Sequence, residues 1–76
     1  MNTLIRLLKD IRPEFDFTKS RDFVADGMLD SFDVVTLVAA LDRAFGISID
    51  GVDIVPEHFK SIDSIGQLLR KYHVEL

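Results

Sequence analysis

The strongest constraint on the fold of this chain is the spacing of its apolar residues between positions 31 and 45. Five apolar side chains recur there every three or four residues, which is the spacing of one face of an α-helix. These residues are Val34, Leu37, Val38, Leu41 and Phe45. Gly46 follows at once, and glycine is favoured directly after a helix because it adopts left-handed backbone angles without strain. The pattern predicts a helix from 31 to 45 with one buried face.

Shorter apolar stripes near both ends of the chain predict two more helices. The first stripe consists of Leu4, Ile5, Leu8 and Ile11, and the second of Ile62, Ile65, Leu68, Leu69 and Tyr72. Pro13 ends the first helix, since proline disfavours helical geometry in the residue before it. Ser61 can cap the start of the last helix, and Pro56 suits the first position of a short helical turn. We therefore expect helices at 2–12, 56–59 and 61–72.

The connections between these helices carry no second regular pattern. Residues 13–30 have no steady period, but their phenylalanines suggest a loop that is packed across the core. Gly27 can take a positive φ in a tight turn before Ser31. Residues 47–49 alternate like a strand, yet no second segment exists to pair with them, so we expect an extended loop. The sequence predicts a single all-α domain spanning 1–76, with four helices, a long first loop and a short third helix.

The composition excludes several classes of protein. The chain has 76 residues, 47% of them hydrophobic, and no cysteine, so packing and not disulfides or thiolate zinc sites must stabilise it. A net charge of −4 makes a nucleic-acid partner unfavourable. No apolar run approaches the roughly 20 residues that a membrane span needs, and the N-terminus lacks the apolar segment of a signal peptide. We expect a monomeric cytoplasmic protein.

Neither a metal site nor a catalytic site is indicated. Asp50, Asp53 and Glu57 miss the spacing of a calcium-binding EF-hand loop, and we interpret them as a solvated loop. His58 and His73 lie far apart without a cysteine, so we predict no metal ligands. An enzyme that uses Ser31 as a nucleophile would need a positioned base, and none is indicated near it, so we predict no catalytic residues.

Asp30 and Ser31 stand where the long helix begins, and either residue can accept hydrogen bonds from the free N–H groups there. For an isolated Asp-Ser pair, a helix cap is the ordinary explanation. The surroundings add more: the leader 26–30 runs into Ser31 and an amphipathic helix, then a Phe-Gly-Ile-Ser-Ile segment at 45–49 and a Val-Pro-Glu-His-Phe passage at 55–59. This ensemble resembles the free-standing acyl carrier proteins, in which an Asp-Ser-Leu motif or a close variant precedes such a helix.

The resemblance implies a four-helix bundle of the acyl-carrier type and a site of covalent modification. In that family the motif serine, here Ser31, carries 4′-phosphopantetheine transferred from coenzyme A by a magnesium-dependent phosphopantetheinyl transferase. Asp30 would cap the helix and help to present the serine. The protein would have no activity of its own. It would hold acyl or aminoacyl groups as thioesters for a loading enzyme and for downstream acyltransferases or synthases.

The chain also departs from the family pattern around the serine. Phe32 replaces the usual leucine, and Thr36, Arg43 and Ala44 stand where fatty-acid carriers place glutamates, so strongly basic partners fit less well. The leader lacks the Gly-Gly-x-Ser form of peptidyl carriers. We therefore expect a dedicated carrier of a specialised acyl or aminoacyl pathway, such as the delivery of D-alanine to cell-wall polymers.

The helix side next to Ser31 and away from the core stripe is the expected docking surface. Its residues are Phe32, Asp33, Val35, Thr36, Ala39 and Arg43. The alternative hypothesis is an unmodified protein-interaction module with a carrier-like fold.

Overall fold

A computed structural model describes residues 2–74, which form four helices joined by loops. The helices are α1 (Asn2–Ile11), α2 (Ser31–Phe45), α3 (Pro56–Phe59) and α4 (Ile62–Lys71). Short 3₁₀ turns lie at Phe17–Lys19 and Gly51–Asp53, and residues 2–74 contain no strand. The predicted all-α fold is confirmed, with a short third helix and an extended segment at 47–49. Each predicted helix end lies within one residue of the observed one.

The three longer helices bury their apolar stripes in one core, as their periodicity predicts. The fully or almost fully buried side chains of these helices are Leu4, Leu8, Leu37, Val38, Leu41, Ile65, Leu68 and Leu69. The other predicted stripe residues are only partly buried: Ile5, Ile11, Val34, Phe45, Ile62 and Tyr72. In α2 and α4 the partly buried residues are the two ends of each stripe, whereas in α1 they are Ile5 and Ile11.

The long first loop is held to this core by two aromatic side chains. Phe17 and Phe23 are fully buried, and their rings meet edge to face with centroids 4.9 Å apart, a favourable aromatic geometry. The Phe23 N–H donates a 2.6 Å hydrogen bond to the carbonyl of Lys60, and the Phe23 carbonyl accepts from the N–H groups of Met28 and Leu29. The loop is therefore fixed to the α3–α4 junction immediately before it reaches Ser31.

A residue with positive φ follows α2 directly and follows α4 after one intervening residue, Tyr72. Gly46 has φ +64°, and the following Ile47 N–H donates to the carbonyl of Asp42. His73 has φ +66°, and the N–H groups of His73 and Val74 donate to the carbonyls of Arg70 and Leu69. Both ends satisfy helix carbonyls that would otherwise lack partners. At His73, however, a side chain stands where glycine would be unstrained.

Asp53 joins the 3₁₀ turn after α2 to the end of α4. The residue is only 6% exposed, and its carboxylate accepts from Lys71 Nζ at 2.8 and 2.9 Å and from Tyr72 Oη at 2.6 Å. Tyr72 Oη in turn accepts the Asp50 N–H. Hydrogen bonds from Lys71 and Tyr72 hold the pKa of Asp53 below its ordinary 3.8, and Asp53 raises the pKa of Lys71 above 10.5. The solvated loop expected for Asp53 is wrong, because this carboxylate is a buried structural link.

This link predicts a specific pH dependence of stability. Because the pKa of Asp53 is lower in the folded state than its ordinary 3.8, its stabilising contribution is present above about pH 4 and is lost as the pH falls through the lowered value. Asp53→Asn should therefore reduce the free energy of unfolding at neutral pH, and the deficit should shrink below about pH 4. Urea unfolding at several pH values measures this. Asp63→Asn, at an exposed position, is the control; an equal loss in both variants would contradict a special role for Asp53.

The backbone at His73 predicts a stabilising substitution. His73→Gly should raise the free energy of unfolding by about 0.5–1 kcal/mol, because removing Cβ relieves left-handed strain, partly offset by the greater freedom of glycine in the unfolded chain. Gly46→Ala is the converse variant. No atom lies within 4 Å of a Cβ built at Gly46, so its expected loss of about 1–2 kcal/mol comes from backbone strain alone. Urea denaturation measures both, and a destabilised His73→Gly would show that the imidazole makes a contact that outweighs the strain.

Candidate functional site

Helix α2 starts with two aspartates that cap each other's backbone. Asp30 is the N-cap residue, and its Oδ1 accepts the Asp33 N–H at 2.9 Å. Asp33 Oδ2 accepts the Asp30 N–H at 3.1 Å, which completes a capping box. Ser31 is the first residue of the helix, between these two partners. The cap predicted at Asp30 is therefore present, and it fixes the backbone on both sides of the serine.

Arg12, one residue beyond the end of α1, binds this capping box from outside α2. Its Nε donates to Asp33 Oδ2 at 2.8 Å, its Nη2 lies 3.5 Å from Asp30 Oδ2, and its Nη1 lies 3.3 Å from Glu14 Oε2. Partial burial disfavours the charged form of Asp33, but the Asp30 N–H and Arg12 outweigh that effect, and the pKa of Asp33 lies below its ordinary 3.8. The same ion pair raises the pKa of Arg12. Both groups are charged at neutral pH.

The turn that leads into Ser31 uses the positive φ expected at Gly27. Gly27 has φ +72°, and its N–H donates to the carbonyl of Val24. Met28 and Leu29 then turn inward and are buried. This arrangement holds the leader against the core and leaves the next two residues, Asp30 and Ser31, exposed.

Ser31 combines an accessible hydroxyl with free backbone donors. Its side chain is exposed, and within residues 2–74 no group accepts a hydrogen bond from the N–H of Ser31 or of Phe32. These two N–H groups lie in the first turn of a 15-residue helix, where the positive end of the helix dipole favours an anion. A phosphate ester on Ser31 would therefore form beside suitable donors.

The other serines are in less suitable settings. Ser61 and Ser64 are half-buried and form the capping box of α4, and Ser64 Oγ also donates to the carbonyl of His58. Ser20 Oγ donates to the carboxylate of Asp26. Ser48 is exposed but lies in the extended segment after α2, without a helix terminus. Among the five, Ser31 is the one that is both exposed and at a helix start.

An apolar cleft of about 350 Å³ opens beside Ser31. Apart from Asp30 and Ser31 at its rim, its lining side chains are aliphatic or proline: Val24, Leu29, Val34, Val35, Ile54, Val55 and Pro56. Its walls thus come from the leader, from the first turns of α2 and from the segment that enters α3. A group tethered to Ser31 by a flexible arm can lie against these walls.

Five of the six residues predicted for docking lie on the exposed side of α2. Phe32 and Val35 are 82% and 61% exposed, and Thr36, Ala39 and Arg43 are exposed as well. Asp33 lies differently, because its side chain is only 14% exposed and is held by Arg12. We call Phe32, Val35, Thr36, Ala39 and Arg43 the α2 face. It is a continuous surface, apolar near Ser31 and cationic at its far end.

No metal centre is formed by the residues that the sequence offered for one. Both oxygens of Asp53 are used by Lys71 and Tyr72, while His58 Nε2 lies 4.0 Å from Asp53 Oδ1. Across residues 2–74, no group of three or more metal-ligating side chains is brought together.

Sequence reasoning missed Arg12 and the far wall of the cleft. Arg12 is 21 positions from Asp33, and no local pattern indicates which carboxylate an arginine after a helix will meet. Ile54 and Val55 look like ordinary apolar loop residues, and only the fold shows that they face the start of α2. Pro56 was identified as a helix start, but not as part of the cleft.

A protein-family model described as a phosphopantetheine attachment site matches residues 2–70. The chain therefore belongs to the phosphopantetheine-dependent carrier proteins. No curated protein and no solved structure matches it. A carrier domain is itself non-catalytic, bears a covalent 4′-phosphopantetheine, and works with a phosphopantetheinyl transferase and the enzymes of a pathway. Among the helices of residues 2–74, none is long and apolar enough to cross a membrane.

The start of α2 fits this cofactor. The arm needs an accessible hydroxyl, donors for its phosphodiester and room for its chain. These three features lie in one place: Ser31 Oγ, the N–H groups of Ser31 and Phe32, and the apolar cleft. The thiol of the arm supplies the reactive group, so the absence of cysteine from the sequence is compatible with thioester chemistry.

Proposed function

We propose that Ser31 is the attachment residue, and that the protein carries an acyl or aminoacyl group as a thioester on this arm. The observation that carries the proposal is the combination at Ser31 of an exposed hydroxyl, two free N–H donors and an adjoining apolar cleft. In the modification, Ser31 Oγ forms a bond to the phosphorus that bears the pantetheine of coenzyme A. The bond from that phosphorus to the remaining phosphate breaks, and adenosine 3′,5′-bisphosphate leaves with the electron pair.

The proton of the Ser31 hydroxyl must pass to a base, and this base belongs to the transferase. No side chain within residues 2–74 makes a hydrogen bond with Ser31 Oγ, so the isolated carrier leaves the hydroxyl unactivated. This division of labour suits a carrier, because its serine must stay inert toward other acyl and phosphoryl donors. Asp30, 58% exposed at its side chain, is the nearest carboxylate in sequence and is placed to meet a magnesium ion held by the transferase.

The cleft supports a cargo with an apolar part. Its lining is almost entirely aliphatic, so a hydrocarbon segment of the tethered group would lose water-exposed surface there, at about 25 cal/mol for each Å² buried. The cleft is open to solvent beside Ser31, and a partner can draw the cargo out without unfolding the bundle. These features favour a dedicated, free-standing carrier of a specialised acyl pathway, because a D-alanyl group, with one methyl and a charged amine, would bury little apolar surface in this cleft.

The α2 face is the proposed docking surface for the transferase, the loading enzyme and later enzymes. Exposed phenylalanine and valine beside the attachment residue offer apolar contact area, which usually carries more affinity than rim charges. Arg43 at the far end adds a positive charge to a protein whose net charge is −4. The face therefore suits partners with an apolar patch and a nearby carboxylate better than partners with a uniformly basic surface.

The first prediction of this proposed function concerns the attachment residue. Incubation with coenzyme A and a broad-specificity phosphopantetheinyl transferase should add one phosphopantetheinyl group to the wild type, and Ser31→Ala should abolish this gain, measured by intact mass. The substitution should lower stability by about 1 kcal/mol or less, because Asp30 remains as the cap. Ser48→Ala, which removes the other exposed serine, is the matched control and should be modified normally. If Ser31→Ala were still modified, another residue would be the attachment site. If the folded wild type were not modified, the interaction module would be favoured.

A second prediction tests the α2 face. Arg43→Glu should change the rates of loading and transfer, because it reverses the charge at the end of this face, while the melting temperature stays nearly unchanged, since exposed charges contribute little to stability. The matched control is Arg6→Glu, which makes the same charge reversal at an exposed position on α1. Kinetic assays of both variants, with thermal unfolding in parallel, measure the difference. Unchanged rates in Arg43→Glu together with slower rates in Arg6→Glu would place docking on α1.

A further inference from the structure

Three carboxylates meet a single guanidinium near the attachment residue. Arg12 uses each of its three nitrogens toward a different carboxylate: Nε toward Asp33 at 2.8 Å, Nη1 toward Glu14 at 3.3 Å and Nη2 toward Asp30 at 3.5 Å. A planar guanidinium can make such a forked arrangement, whereas a lysine ammonium has no fixed fork. The arginine side chain is one-third exposed, so its contacts are partly shielded from water.

Two of these carboxylates form the capping box that fixes the backbone on either side of Ser31. The Asp33 Oδ2 atom bound by Arg12 is also the atom that accepts the Asp30 N–H. Moving the Asp33 side chain would therefore release the residue directly before the serine. Arg12 reaches this atom from the end of α1, so the connection crosses between two helices and limits how α2 can shift against α1.

The same contact changes the charge beside the serine. Without Arg12, Asp30 and Asp33 would place two negative charges within three residues of a hydroxyl that must receive an anionic phosphoryl group. Like charges at such short range oppose each other, and partial burial of Asp33 strengthens the effect by lowering the local dielectric response. A guanidinium at 2.8 Å from Asp33 offsets one of these negative charges while the N–H groups of the helix start remain free.

We propose that Arg12 is a positioning residue for phosphopantetheine attachment, acting through Asp33 to fix the start of α2 and to offset the negative charge around Ser31. This inference rests on the proposed attachment at Ser31. It predicts that the loss of Arg12 slows the transfer step itself, and not only the formation of the complex with the transferase.

Steady-state kinetics of the transferase distinguish this role from a general loss of stability. An unfolded fraction of the carrier is not a substrate, so a merely destabilised variant shows a higher apparent KM for the carrier with an unchanged kcat. A misplaced serine in the bound complex lowers kcat, because small errors in the geometry of reacting groups cost large factors in rate. We expect Arg12→Gln to lower kcat about tenfold, with a much smaller change in KM.

The matched control is Arg6→Gln, which removes the same charge from within α1, the helix that Arg12 follows. Arg6 is exposed and has no ion pair among the described residues, so its kcat should stay within about twofold of the wild type. Arg12→Lys keeps the charge but loses the fork, and we expect an intermediate kcat. If far-ultraviolet circular dichroism shows that Arg12→Gln is unfolded at the assay temperature, the kcat of Arg12→Lys tests the inference in its place.

A double variant tests whether Arg12 acts through Asp33. Asp33→Asn retains an oxygen that can accept the Asp30 N–H but removes the charge that pairs with Arg12. If Arg12 acts through Asp33, the double variant has a kcat no lower than that of Arg12→Gln alone, and a higher one to the extent that the unpaired charge of Asp33 slows the transfer; independent losses would multiply. A multiplied loss, or a wild-type kcat in folded Arg12→Gln, would overturn the inference while wild-type modification at Ser31 still stood. Failure of the wild type itself to be modified would instead overturn the proposed attachment.

Discussion

The Oδ2 atom of Asp33 accepts two hydrogen bonds, one from Arg12 Nε and one from the Asp30 N–H. The first joins the end of α1 to α2, and the second closes the capping box in which Ser31 stands. A single carboxylate oxygen thus links two helices and fixes the backbone next to Ser31, the proposed attachment residue. Neither of these hydrogen bonds involves the N–H groups of Ser31 and Phe32. Those donors remain directed outward at the positive end of the helix, where a phosphodiester is favoured.

The long first loop supplies the second constraint on the site. An irregular segment of this length would have large conformational freedom unless side chains fixed it. Phe17 and Phe23 fix it by full burial, and the hydrogen bond from Phe23 to Lys60 connects it to the α3–α4 junction. Both walls of the cleft that face α2 are therefore held by the core, since Val24 follows Phe23 and Pro56 begins α3. The arm would meet a preformed surface at Ser31.

The helices could be predicted because each depends on a local pattern. The stripes of α1, α2 and α4 predicted their ends to within one residue, and Gly27 and Gly46 indicated two of the three positions of positive φ in residues 2–74, with His73 missed. Asp53 could not be placed in the same way: its burial depends on Lys71 and Tyr72, which are 18 and 19 positions away. Arg12 and the cleft wall at Ile54 and Val55 were missed for the same reason. Sequence patterns indicate which face of a helix is buried. Tertiary contacts decide which polar groups meet across the fold.

The surface around Ser31 explains why a carrier and a simple interaction module would share most of this structure. Exposing a phenylalanine and a valine on α2 to water is unfavourable in the isolated protein. Docking removes that cost in either case. The free N–H groups at the start of α2 are common to every α-helix, and water satisfies them in an unmodified protein. Their value depends on an anion being present, and the apolar cleft at the same serine gains value only when something is tethered there. An interaction module would need the α2 face alone, whereas a carrier needs the face, the donors and the cleft to coincide at one accessible hydroxyl, and they coincide at Ser31.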